Sequence, residues 1–148
     1  MNELVTALKK AHANTFVMYF KSHAFHWNVE GKLFPLYHGF FSDIYEDLFS
    51  AVDPLAEEIR ALGEYAPKSL TELYNSCTLE ENNILVGDTV REMLGSLLVD
   101  NAEVISSLNQ VFALASAANV QGLADLVAGR IDTHKKHEWM IKSCMKGL

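Results

Sequence analysis

Apolar residues recur at three-and-four spacing through almost the whole chain, and that period leaves room for little besides long α-helices. Residues 2 to about 29 place Leu4, Leu8, Ala11, Thr15, Met18 and Ser22 on one stripe, and His26 continues it. Gly31 closes this helix as a C-terminal glycine does. A second helix runs from about 34 to 62, with Pro35 in its first turn, where a missing N–H does no harm. Gly63 stops it and Pro67 confirms the stop. A short turn of helix fits around 69–75. Thr78 with Glu81 reads as a capping box that opens a third long helix. That helix carries Val90, Met93, Leu94, Leu97, Leu98, Val104, Ile105, Leu108 and Phe112. Asn119 reads as the N-cap of a last helix, from about 120 to 146. Long helices joined by short loops lie antiparallel. The expected fold is therefore all-α: an antiparallel four-helix bundle with a short helix between the second and third helices, spanning 1–148 as one domain.

Composition narrows what such a bundle does. Apolar residues make up 49% and charged residues 21%, which is a globular balance. The net charge of −7 argues against nucleic acid as the main partner, because phosphate binding needs a surplus of Lys and Arg on some surface. The start, MNELVTALKK, has no apolar signal core, and no run reaches membrane-spanning length. No membrane partner is expected, and the cytoplasm is the expected location. Cys77 and Cys144 make neither a CxxC nor a disulfide framework and read as free thiols.

The chemistry gathers at the first turn. A di-iron site inside one bundle uses Glu-x-x-His on two helices. No Glu here has a His three residues later, which points away from an iron site inside the bundle. HExxH, Walker and GxGxxG patterns are also absent. What remains is His26, His38, Asp53 and Glu57. Either histidine alone reads as a structural residue near a helix end. In an antiparallel hairpin, however, the two come level across the turn and approach each other. Asp53 and Glu57 are four apart and share a helix face. Two imidazoles with two carboxylates suit iron, manganese or zinc.

Geometry then divides this set. His38 and Asp53 are fifteen residues apart on one helix, roughly 22 Å at the α-helical rise. No single ion bridges that gap within one chain. Around the helix the two differ by only about 60°, so they face a similar side at opposite ends. A second copy running antiparallel across a two-fold axis places Asp53 and Glu57 of one chain opposite His38 and His26 of the other, and forms two equivalent sites at once. The helix carries two stripes. Tyr37, Ile44, Leu48, Leu55, Ile59 and Leu62 suit the bundle core, while His38, Ser42, Tyr45, Phe49 and Ala56 suit a dimer interface.

At this point the residues resemble a family. The stretch HWNVEGKLFPLYHGFFSDIYEDLFSAVDPLAEEIRALG is similar to the Dps family, the ferritin-like mini-ferritins that protect DNA in starved cells. The His-Trp-Asn-x-x-Gly core, a His twelve residues after the first, and Asp-x-x-Ala-Glu carry the likeness. It extends more loosely to the C-terminus, where His137 to Met140 supports it. The resemblance implies a twelve-subunit homo-oligomeric shell built from two-fold dimers. It also implies Fe(II) oxidation, usually by hydrogen peroxide, at sites shared between two subunits, with ferric iron stored in the cavity. The family's iron ligands fall on His26, His38, Asp53 and Glu57.

Two departures qualify that reading. The family's acid four residues after the second histidine is Ser42 here, and the nearby Asp43 lies about 100° further round the helix, a solvated acid rather than a ligand. The site is then expected to bind weakly, to hold one iron rather than two, or to recruit a water. Pro54, inside the second helix, is expected to kink it and push Asp53 out of helical geometry. Around the site, His23 is a candidate support for the ligands. Trp27 reads as a core or interface anchor, and His12 as a packing residue. Asp125 and Asp132 are candidates for an ion pore, weighed against ordinary solvated acids. Lys135, Lys136, Lys142 and Lys146 form a mild basic cluster, read as a solvated face. The rival readings are a DNA-binding, nucleoid-protecting protein of the same fold, disfavoured by the net charge, and a shell with a weakened ferroxidase centre.

Overall fold

The computed structural model describes residues 2–80 and 89–148. Its elements are α1 (Asn2–Asn28), α2 (Phe34–Ala61), α3 (Leu70–Asn75), α4 (Val90–Ala117) and α5 (Gln121–Met145). The four long helices form the expected bundle, with α3 as the short helix between the second and third of them. α1 packs against α2 and α4, and α4 packs against α5, while α2 and α5 touch more lightly.

The helices form where their apolar stripes meet. Leu8, Met18, Ile44, Leu48, Leu55, Leu94 and Leu108 are fully buried together, and each side chain of this size contributes about 1.5–3 kcal/mol on burial. Phe41, completely buried, joins them. Phe112, one of the apolar residues of α4, is 41% exposed; Val111 and Ala115 turn the buried face of α4 away from it.

The helix ends follow local hydrogen-bonding chemistry. Gly63 has φ +92°, a conformation open to glycine. Its N–H bonds Arg60 O, and Glu64 N–H bonds Ile59 O, which together close α2. Asn119 does the same for α4. Its φ is +59°, its N–H bonds Ser116 O, and Val120 N–H bonds Ala115 O. Asn119 is thus the left-handed terminator of α4 rather than the N-cap of α5, whose N-cap is Val120 without a side-chain bond.

The start of α4 also differs from expectation. Thr89 is its N-cap, and its Oγ1 accepts from Glu92 N–H at 3.1 Å. Thr78 caps no helix among the described residues. Its hydroxyl donates to Glu103 Oε1 at 2.8 Å and accepts from Asn14 Nδ2 at 2.9 Å, which pins the loop after α3 onto α1 and α4. Glu81, its expected partner, lies outside the described residues. Thr89→Ala should therefore lower stability by about 1 kcal/mol, read as a shift in urea midpoint with an unchanged slope, whereas Thr78→Ala should leave the start of α4 intact.

Pro54 does not break α2, which continues through Asp53 and Pro54 to Ala61. The missing N–H leaves the Ser50 carbonyl without its helical donor, but Ser50 sits on the exposed side, open to solvent. Asp53 and Glu57 therefore keep the i, i+4 relation of a regular helix.

Candidate metal centre

The turn between α1 and α2 brings His26 and His38 into a stacked pair, their ring centroids 3.7 Å apart. Each ring is fixed by the other residue's backbone. His26 Nδ1–H donates to the His38 carbonyl at 2.7 Å, and His38 Nδ1–H donates to the His26 carbonyl at 2.7 Å. A carbonyl only accepts, so Nδ1 of each ring carries the proton. The neutral ring then holds its lone pair on Nε2, the state in which imidazole binds a metal. Both rings are half-buried.

Aromatic side chains surround this pair. His23 stacks on Tyr45 at 3.8 Å and lies 4.1 Å from Trp27. Its Nδ1 is 3.0 Å from the Tyr19 hydroxyl. Burial and the neighbouring His26 hold the His23 pKa below its ordinary value. His23 thus touches the ring of His26 at 5.9 Å without hydrogen-bonding it. Trp27 is 55% exposed, so it is no core residue; Phe49 on α2 is 58% exposed. With Phe20 they leave an aromatic face of α1 and α2 uncovered.

Asp53 and Glu57 stand at the other end of α2, both exposed. A hydrogen bond with Asp53, and its charge, raise the Glu57 pKa from its ordinary value. Two acids that crowd each other in this way favour a cation between them. Among the described residues, no three of His, Cys, Asp and Glu converge within one chain to hold a metal ion. The four expected ligands thus form two halves, one of nitrogen and one of oxygen. Ser42 is half-buried and donates to Glu46 Oε1 at 3.3 Å; Asp43 is exposed.

A second polar cluster, inside the bundle, had no signal in the spacing of the sequence. Arg130 of α5 makes a two-pronged bond to Asp47 of α2, at 2.9 Å from each nitrogen. His137 Nε2–H donates to the same carboxylate at 2.7 Å. The hydrogen bonds of His137 and Arg130 outweigh burial and hold the Asp47 pKa far below its usual range. His134 is wholly buried; its Nδ1–H donates to Asn101 Oδ1 at 2.7 Å, and its Nε2 faces Arg130 at 3.3 Å. Burial, with Arg130 alongside, lowers the His134 pKa to about 3. The Arg130 guanidinium joins Asp47 of α2 to His134 of its own helix, which makes this cluster a structural tie between α2 and α5.

The remaining candidates lie apart. Asp125 and Asp132 are both exposed on α5, and Asp132 lies 3.5 Å from Lys136. His12 is buried, and its burial lowers its pKa. Lys142 bonds Glu138 at 2.8 Å and Lys135 approaches it at 4.0 Å, so the basic cluster of α5 is largely paired. Among the described residues no helix is long and apolar enough to cross a membrane.

The chain matches the family model of the ferritin-like domain over residues 5–148. The Dps protein of Staphylococcus aureus is 30% identical, superposes with a TM-score of 0.91, and aligns over 99% of this chain and 97% of its own. The Dps protein of Vibrio cholerae O1, a ferritin-like diiron-carboxylate protein, is 26% identical with a TM-score of 0.91, over 98% of this chain and 90% of that one. The DNA protection during starvation protein of Brevibacillus brevis is 27% identical over 94% of this chain and 92% of its own. The bundle, the histidine pair at its first turn and these matches agree: the chain is a ferritin-like protein of the Dps family.

Proposed function

We propose that copies of this chain assemble into a shell through two-fold dimers, bind Fe(II) at sites shared across each dimer, oxidise it with hydrogen peroxide, which takes one electron from each of two Fe(II) and is reduced to water, and hold the ferric product inside. Iron is here substrate and cargo. The observation that carries the reading is the reciprocal bonding of His26 and His38, which leaves both Nε2 atoms available as ligands. The carboxylates that complement them, Asp53 and Glu57, lie on the same side of α2, roughly 22 Å away. The exposed aromatic face between the halves supports a second copy packed over it.

Each half supplies a different property. Neutral imidazoles give nitrogen donors of fixed direction. The carboxylates bring negative charge that favours Fe(III) over Fe(II), and so helps oxidation. The pairing of Lys135 and Lys142 with Glu138, together with the net charge of −7, favours this reading over a DNA-binding one.

The test has two parts. Native mass spectrometry should give a closed oligomer with an even number of subunits, twelve for the shell the family implies. Anaerobic Fe(II) titration of that oligomer should saturate, and added hydrogen peroxide should oxidise the bound iron faster than in buffer. A monomer with no saturable binding refutes the proposal.

A further inference from the structure

The departure at Ser42 leaves a question of charge. A site with two imidazoles and two carboxylates lacks the further acid that the family pattern places one turn after His38. We infer that Glu46 supplies that carboxylate, directed by the Ser42 hydroxyl toward the histidine pair of its own chain. This rests on the shared site proposed above.

The first argument is angular. Taking His38 as origin, Ser42, Asp53, Glu46 and Glu57 fall about 40°, 60°, 80° and 100° round α2. Glu46 thus lies on the face that carries the other ligands, between the azimuths of Asp53 and Glu57. The other acids of this stretch do not. Asp43 lies about 140° round and Asp47 about 180° round. Asp47 is moreover held inside the bundle by Arg130 and His137.

The second argument concerns height along the helix. Glu46 starts roughly 12 Å along α2 from His38, too far for a short side chain. Helical side chains lean toward the N-terminus, however, and so cover the preceding turn. Glu46 does this: its Oε1 lies 3.3 Å from Ser42 Oγ. The carboxylate thereby sits beside the position from which the usual acid would project. Aspartate at that position would reach the site directly; serine leaves room and donates a hydrogen bond to an acid arriving from the next turn. Among the described residues Glu46, His26 and His38 do not converge in the absence of an ion; Glu46 is exposed, so its carboxylate can leave Ser42 and turn to a cation held by the histidine pair.

The test uses the assembled oligomer and Co(II) alone, without oxidant, followed by calorimetry and by the visible absorption of bound Co(II). Glu46→Gln, which keeps the size, should weaken Co(II) binding at least tenfold while the assembled mass stays unchanged. Ser42→Asp in the Glu46→Gln background should bring the affinity back to within about threefold of wild type, because it restores an acid one turn earlier. Wild-type affinity in Glu46→Gln overturns the inference, as does a weakened Glu46→Gln that Ser42→Asp fails to rescue. His38→Ala separates the two levels. If it leaves Co(II) binding intact, the shared site itself is wrong; if it abolishes binding while Glu46→Gln does not, only the role of Glu46 falls.

Discussion

Protein carrying His38→Ala and protein carrying Asp53→Ala should each lose saturable Fe(II) binding, yet shells refolded from an equal mixture should regain about one quarter of the wild-type sites. The fraction follows from the symmetry. Each two-fold dimer holds two sites, and each site takes nitrogen ligands from one chain and oxygen ligands from the other. Random pairing makes half of the dimers mixed, and a mixed dimer contains one intact site. Anaerobic iron titration measures this number directly. A site within one chain recovers nothing on mixing, so zero recovery, with the mixed shell verified by mass, sinks the shared-site reading. The prediction depends on both halves facing one side of α2, and the helix runs without interruption through Pro54 between them.

The second large effect lies in the bundle. Arg130→Met should cost about 3 kcal/mol, because Asp47 is left without its guanidinium partner in a mostly buried setting. For a chain of this size that corresponds to a fall of roughly 6–12 °C in midpoint temperature, read by calorimetry on the oligomer at neutral pH. A fall under about 2 °C would mean that water replaces the guanidinium and that the tie is unimportant.

The same cluster sets an acid dependence. The folded pKa of His134 is depressed to about 3, against about 6.5 in an unfolded chain. Between these values the unfolded state binds a proton that the folded state refuses, so stability falls as pH drops, by up to about 1.4 kcal/mol per unit. Asp47 adds to the loss at the acid end: its depressed pKa contributes stability above the unfolded carboxylate value, and that contribution goes as pH falls toward its folded pKa. His134→Gln should flatten the slope between pH 6 and pH 4 by up to one proton. An unchanged slope would show that other groups carry the acid response.

How much of this was legible beforehand depends on the range of the interaction. The stop at Gly63 was readable because a left-handed residue after an apolar stripe is a local signal. Thr78 was misread because the Thr-x-x-Glu pattern also occurs at Thr89, and only packing decides that Thr78 bonds Asn14 and Glu103 instead. The loss of helical geometry expected at Asp53 did not appear: α2 runs on through Pro54, and the burial of Leu55 and Ile59 holds its last turns against the core. Glu46 was overlooked because its relevance rests on a rotamer that leans over Ser42.

The sequence by itself determined the four long helices, the core stripe and the separation of the candidate ligands into a nitrogen half and an oxygen half. Each is a matter of spacing along one helix, where 3.6 residues per turn converts position directly into direction. Only the tertiary structure decided which nitrogen of His26 and His38 is free, and that Asp47 belongs to Arg130 and His137. Those bonds join residues 12, 83 and 90 positions apart, and no local period encodes which side chains meet when separate helices close upon one another.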